Sequence, residues 1–187
     1  MTGAKRSTAS VSTEYLLRAL AEILSEDRSK AVGEAVEIFT SAKKVFVYGV
    51  GRSGLAARAF AMRMVQLGLE CYFIGETITP VVSEGDAVLI ASNTGSTMSA
   101  IQVANIARRV GAKVVSVTGS KTSKLAHASN VILCLQEDDD PERSRLAPLG
   151  TLFEDACLLL LDGIVAQVMV RVGQSEADMR VRHAIMV

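Results

Sequence analysis

Leu16, Leu17, Leu20, Ile23 and Leu24 recur at helical spacing and predict an amphipathic helix over 13–25. Val32, Ala35, Val36 and Phe39 predict a second over 28–41. The period then changes. Val45-Phe46-Val47-Tyr48, Cys71-Tyr72-Phe73-Ile74, Ala87-Val88-Leu89-Ile90-Ala91, Val114-Val115-Ser116-Val117 and Val131-Ile132-Leu133-Cys134 are short, β-rich runs, apolar almost throughout. Such runs suit strands covered on both faces. Helical segments over 55–67, 97–110 and 123–128 lie between most of them. The alternation predicts right-handed βαβ crossovers and an α/β three-layer sandwich around a five-stranded parallel sheet, ordered 2-1-3-4-5. An acidic loop, Asp138-Asp139-Asp140-Pro141-Glu142, precedes a long apolar helix over 152–172, and 173–187 reads as a polar tail with a basic end. Residues 1–12, small and polar, read as a flexible N-terminal tail, which leaves 13–187 as a single domain. No internal repeat or low-complexity segment is evident.

Composition narrows the class of partner. The 187 residues are 49% hydrophobic and carry no formal net charge, so no general basic field points to nucleic acid or to a membrane surface. An anionic small ligand would need a local binding device. Cys71, Cys134 and Cys157 sit in apolar runs without a CxxC pair, as reduced, buried thiols of a cytoplasmic protein do. No apolar run reaches the roughly 18 residues of a membrane span, and no secretory apolar stretch follows Lys5 and Arg6.

In open parallel sheets ligands bind beyond the carboxyl ends of the strands. The first strand runs into Gly49-Val50-Gly51-Arg52-Ser53-Gly54 and the third into Ser92-Asn93-Thr94-Gly95-Ser96-Thr97. Both loops are rich in glycine and hydroxyls and lead into a helix. Glycine permits close backbone approach, free amides at a helix start favour an anion, and hydroxyls add neutral donors for phosphate oxygens. The same residues also make ordinary strand-to-helix turns and caps. The first loop fits the dinucleotide pattern G-x-G-x-x-G, with Glu70 or Glu76 as the later acid. The hydroxyl-rich second loop suits a single phosphate on a polar ligand better, and no Walker sequence is present.

These two loops, together with Thr118-Gly119-Ser120, resemble the SIS (sugar isomerase) family. Phe60-Ala61-Met62-Arg63, Gly75-Glu76-Thr77-Ile78-Thr79-Pro80, Pro148-Leu149-Gly150-Thr151-Leu152-Phe153-Glu154 and Arg182-His183-Ala184 resemble, within it, the 6-phospho-3-hexuloisomerases. Two departures stand out. Asn93, Thr94 and Ser96 replace the Gly, Ser and Glu usual in the second loop, and Ile185, Met186 and Val187 replace the usual Asn and Glu after Arg-His-Ala. The resemblance implies a flavodoxin-like SIS fold and interconversion of D-arabino-hex-3-ulose 6-phosphate with D-fructose 6-phosphate through an enediol. The alternatives are another SIS isomerase, acting on pentose or heptose phosphates, and a non-catalytic sugar-phosphate sensor. The resemblance also implies a homo-oligomer, with a tetramer expected, no cofactor or metal, and a link to hexulose-6-phosphate synthase in the ribulose monophosphate pathway. Phosphate would be held by Gly51, Arg52, Ser53, Ser92, Thr94 and Thr97.

Moving a carbonyl between neighbouring carbons needs one base to shuttle a proton and a donor to serve the oxygens. The resemblance assigns the base to Glu154. On the residues alone, Thr151-Leu152-Phe153-Glu154 reads equally as a capping box, with Thr151 as N-cap. Asp155 is the neighbouring candidate but is expected to point elsewhere on the helix. Of the two histidines, His127 lies on a short connecting helix and reads as surface. His183, in the tail, gains a proton-transfer role only through the resemblance, on its own subunit or on a neighbour. Arg52 reads either as an anion partner or as half of a salt bridge across a subunit interface.

Overall fold

The computed structural model describes residues 6–184. Five parallel strands, β1 (Val45–Gly49), β2 (Cys71–Phe73), β3 (Ala87–Ala91), β4 (Lys113–Thr118) and β5 (Val131–Cys134), form one sheet in the order β2-β1-β3-β4-β5. This is the predicted α/β sandwich. Side chains alternate across it. Val45, Val47, Leu89, Val115, Val117 and Leu133 enter one core, beneath helices α1 (Thr8–Ser25), α2 (Ser29–Ser41), α3 (Gly51–Gln66) and α7 (Thr151–Arg171). Phe46, Val88, Ile90 and Val114 enter the other, beneath α4 (Met98–Arg109) and α5 (Lys124–His127). Burial on both faces is the reason the strands read as continuous apolar runs.

The crossover through α3 leaves β1 on one face, and the crossover through α4 leaves β3 on the other. Gly49 pairs with Ala91, so the two loops emerge side by side, about 4.8 Å apart, where the chain changes face.

The structure corrects several boundaries. The flexible tail expected over 1–12 gives way to α1 at Thr8, where the Ser7 side chain accepts from the Ser10 amide at 3.1 Å. Residues 1–5 and the departures Ile185, Met186 and Val187 lie outside the described residues. Helix α3 starts at Gly51, so most of the glycine-rich loop is its first turn. A short helix, α6 (Arg143–Leu146), follows the acidic loop, and the polar tail contains α8 (Glu176–Val181), closed by a Ser175/Asp178 capping box. Among the described residues no helix is long and apolar enough to cross a membrane.

Candidate functional site

The three glycines of the first loop do different work. A Cβ on Gly49 would lie 2.8 Å from the Gly54 nitrogen, and one on Gly54 would overlap the Gly49 carbonyl oxygen. These two residues let α3 seat directly on the end of β1. Gly51 takes a φ of 60°, the left-handed region glycine tolerates, and its open side has nothing within 4 Å. It opens α3 with clear space beside the backbone. Val50, the N-cap, offers no side-chain bond, so the first amides of α3 are left without a side-chain partner. Ser53 is buried in that turn, while Arg52 projects outward.

The second loop is built similarly. Ser92 is buried, and its hydroxyl lies 3.1 Å from the Thr97 hydroxyl. Thr94 Oγ1 accepts from the Ser96 amide at 3.2 Å and from the Ser96 hydroxyl at 2.8 Å. Gly95, at φ 57°, is pressed so closely against Thr118 that a Cβ would come within 2.8 Å of Oγ1. Thr97, the N-cap of α4, makes no side-chain cap bond either. Two helix starts without side-chain caps thus lie beside four hydroxyls at one sheet edge, an arrangement suited to an anion.

Helix α7 brings the carboxylates to that edge. The capping-box reading of Thr151 and Glu154 is overturned. Gly150 is the N-cap, Thr151 donates its hydroxyl to the Pro148 carbonyl at 2.7 Å, and no side chain caps the helix. The Glu154 carboxylate turns instead to Arg52, whose Nε lies 2.6 Å from Glu154 Oε2. Arg52 Nη2 also reaches Asp155 Oδ1 at 3.4 Å. The salt bridge expected for Arg52 across an interface is made instead within one chain, and Asp155, expected to point elsewhere, shares it. Gly150 leaves the room this needs, since a Cβ there would stand 3.1 Å from Glu154 Oε1. Glu154 is 17% exposed and Arg52 57% exposed, so the carboxylate is the sheltered partner. Behind it, burial, aided by the charge of Glu154, pushes the Cys157 thiol up to about 12, which keeps it protonated and unreactive.

The structure thus gathers Gly51, Arg52, Ser53, Ser92, Thr94, Thr97 and Glu154 at one edge. It does not bring His183 there. Arg182 donates to the Gln66 carbonyl at 3.2 Å, which fixes the tail at the far end of α3. That helix has 16 residues and is about 24 Å long. His183 is exposed, with Nδ1 3.0 Å from the Ala184 carbonyl oxygen. His127 is exposed on α5. Among the described residues no group of three or more His, Cys, Asp or Glu is placed to hold a metal ion. An acidic cavity of about 310 Å³ beyond β5, lined by Glu22, Glu26, Glu137, Asp138 and Asp140, carries the wrong charge for a phosphate.

Comparison with known proteins follows this geometry. Residues 38–161 match the SIS domain. An uncharacterized protein of Archaeoglobus fulgidus is 38% identical over 161 residues, covering 84% of this chain and 88% of its own length. A 3-hexulose-6-phosphate isomerase of Bacillus subtilis is 31% identical over 183 residues, covering 92% of this chain and 97% of its own. A Methanococcus jannaschii protein, whose crystal structure infers a molecular function of 3-hexulose-6-phosphate isomerase, superposes with a TM-score of 0.81 at 28% identity, over 95% of this chain and 98% of that one. A parallel sheet in the order β2-β1-β3-β4-β5, hydroxyl loops at its switch point and this match over all five strands place the chain in the SIS domain family.

Proposed function

We propose that the chain is a sugar-phosphate isomerase and that its substrate pair is D-arabino-hex-3-ulose 6-phosphate and D-fructose 6-phosphate. The observation that carries this is the Arg52–Glu154 pair, 2.6 Å apart, beside two helix starts without side-chain caps and the hydroxyls of Ser53, Ser92, Thr94 and Thr97. The names of the Bacillus subtilis relative and the Methanococcus jannaschii structure support the choice of hexulose.

In this reading the phosphate rests on the amides and hydroxyls of the two loops. Glu154 removes the proton from C2 of the 3-ulose, giving a 2,3-enediol, and returns it at C3, which leaves the carbonyl at C2. Arg52 holds Glu154 in the unliganded chain. When substrate enters, its oxygens compete for that guanidinium, which is then placed to stabilise the developing oxyanion. His183, about one helix length from Glu154 in its own chain, serves the substrate oxygens of a second copy. Self-association is supported by the apolar side chains left exposed on α3 and α7, among them Leu55 at 64%, Met62 at 53% and Leu159 at 48%. A cytoplasmic tetramer acting after hexulose-6-phosphate synthase completes the reading, with the chain from α1 onward as one domain.

A panel of ketose and aldose phosphates followed by proton NMR tests the substrate. Fructose 6-phosphate should develop the signals of the 3-ulose. Turnover confined to pentose or heptose phosphates would move the chain to another isomerase of the same family.

A further inference from the structure

We infer that Asn93 and Glu137 are positioning residues for the phosphate loop, coupled to each other across two separate segments of the chain. This rests on the phosphate site proposed above.

Asn93 stands between Ser92 and Thr94, two of the hydroxyl residues proposed for that site. Its backbone is already fixed by β4: its carbonyl accepts from the Gly119 amide at 2.8 Å and from Thr118 Oγ1 at 3.2 Å. Its side chain donates from Nδ2 to Glu137 Oε1 at 3.3 Å. Gly119 makes this possible, because a Cβ there would lie only 2.5 Å from Asn93 Oδ1.

Glu137 follows β5 and is 44 residues away in sequence. Its side chain is only 7% exposed. A carboxylate so far from water requires partners for its charge. Arg143, at the start of α6, supplies one, donating from Nη1 to Glu137 Oε2 at 2.8 Å. Asn93 supplies the other. Two consequences follow. The Arg143 guanidinium balances the charge of the sheltered Glu137 carboxylate. The sheltered carboxylate, anchored on its outer side, holds Asn93 and therefore the rotation of the loop that carries Thr94. Glu137 touches no reacting atom in this arrangement and acts through Asn93.

A positioning role and a merely structural one differ in what they move. Loss of the bond should raise KM for the sugar phosphate, because the loop binds the phosphate, and leave kcat near its original value. The test is a double-mutant cycle of Asn93→Ala and Glu137→Ala in the full chain, read by steady-state kinetics and by titration with fructose 6-phosphate and inorganic phosphate. Each single variant should raise KM about tenfold, the size of one lost hydrogen bond to a charged acceptor, with kcat within about twofold. The double variant should be no worse than the poorer single, because both break one bond. If Glu137→Ala does not fold, Asn93→Ala removes the same bond from its half-buried end and decides alone. Unchanged KM in Asn93→Ala, strictly additive effects, or a fall in kcat at constant KM would overturn the inference. Failure of the unmodified protein to bind either phosphate ligand would instead overturn the site on which the inference rests.

Discussion

Arg52 sets one guanidinium against two carboxylates, and the closer of them, Glu154, is the sheltered one. Cys157 lies one turn behind. Its burial has a consequence for stability. The folded thiol titrates at about 12, whereas an unfolded cysteine titrates near about 8.5. Between those values the unfolded chain gives up a proton that the folded chain retains, so stability falls as pH rises. The slope from this residue is about 1.4 kcal/mol per pH unit, and its contribution is fully present below about pH 8.5. Urea melts of the original chain and of Cys157→Ala at a series of pH values from 8 to 11 should diverge by that slope. Parallel curves would show that the thiol is not held protonated by the fold.

The strands and helices differ in how far their own residues announce them. In β4 the Ser116 hydroxyl is buried without a hydrogen-bond partner, between Ile90 and Ile132 in register. An unpaired buried hydroxyl is unfavourable, so Ser116→Ala should be neutral or stabilise the fold by up to about 1 kcal/mol, read as a rise in urea midpoint at constant m. A clear loss would reveal a partner for the hydroxyl. The strands and their order were legible because a sheet covered on both faces needs unbroken apolar runs. The start of α3 was not: Gly51, Arg52, Ser53 and Gly54 have the composition of a loop, and only the contact of Gly54 with Gly49 makes them a helical turn. The box at Thr151 misled for a physical reason. A capping box is a local pattern, and Glu154 is claimed by Arg52, which is distant in sequence and close in space. The link from Asn93 to Glu137 was invisible for the same reason. The two glycine- and hydroxyl-rich loops proposed to hold phosphate were legible as loops. Which side chains they gather was legible only with the family resemblance, and the separation of His183 from them only in three dimensions.

At the scale of the molecule, one chain gathers the proposed phosphate residues and the proposed base, Glu154, but leaves the second candidate, His183, at the other end of α3. Helix α7 is apolar on nearly all sides, yet Leu158 and Leu159 face outward, as do Leu55 and Met62 on the adjacent α3. A helix with that composition is normally covered all round. The chain should therefore sediment as an oligomer. Met62→Lys with Leu159→Lys should shift it toward a monomer and lower turnover at least about tenfold, the low side of a lost proton-transfer group, while the fold persists. A fully active monomer would show that the site is complete within one chain.

The most direct test of the reaction is the turnover of D-arabino-hex-3-ulose 6-phosphate by Glu154→Gln, measured beside its affinity for fructose 6-phosphate. The substitution keeps the shape of the side chain and an acceptor for Arg52 but removes the proposed base. Turnover should fall by about 10²-fold or more, in the range of general-base contributions, with sugar-phosphate binding retained. Turnover equal to that of the unmodified chain would contradict Glu154 as the base.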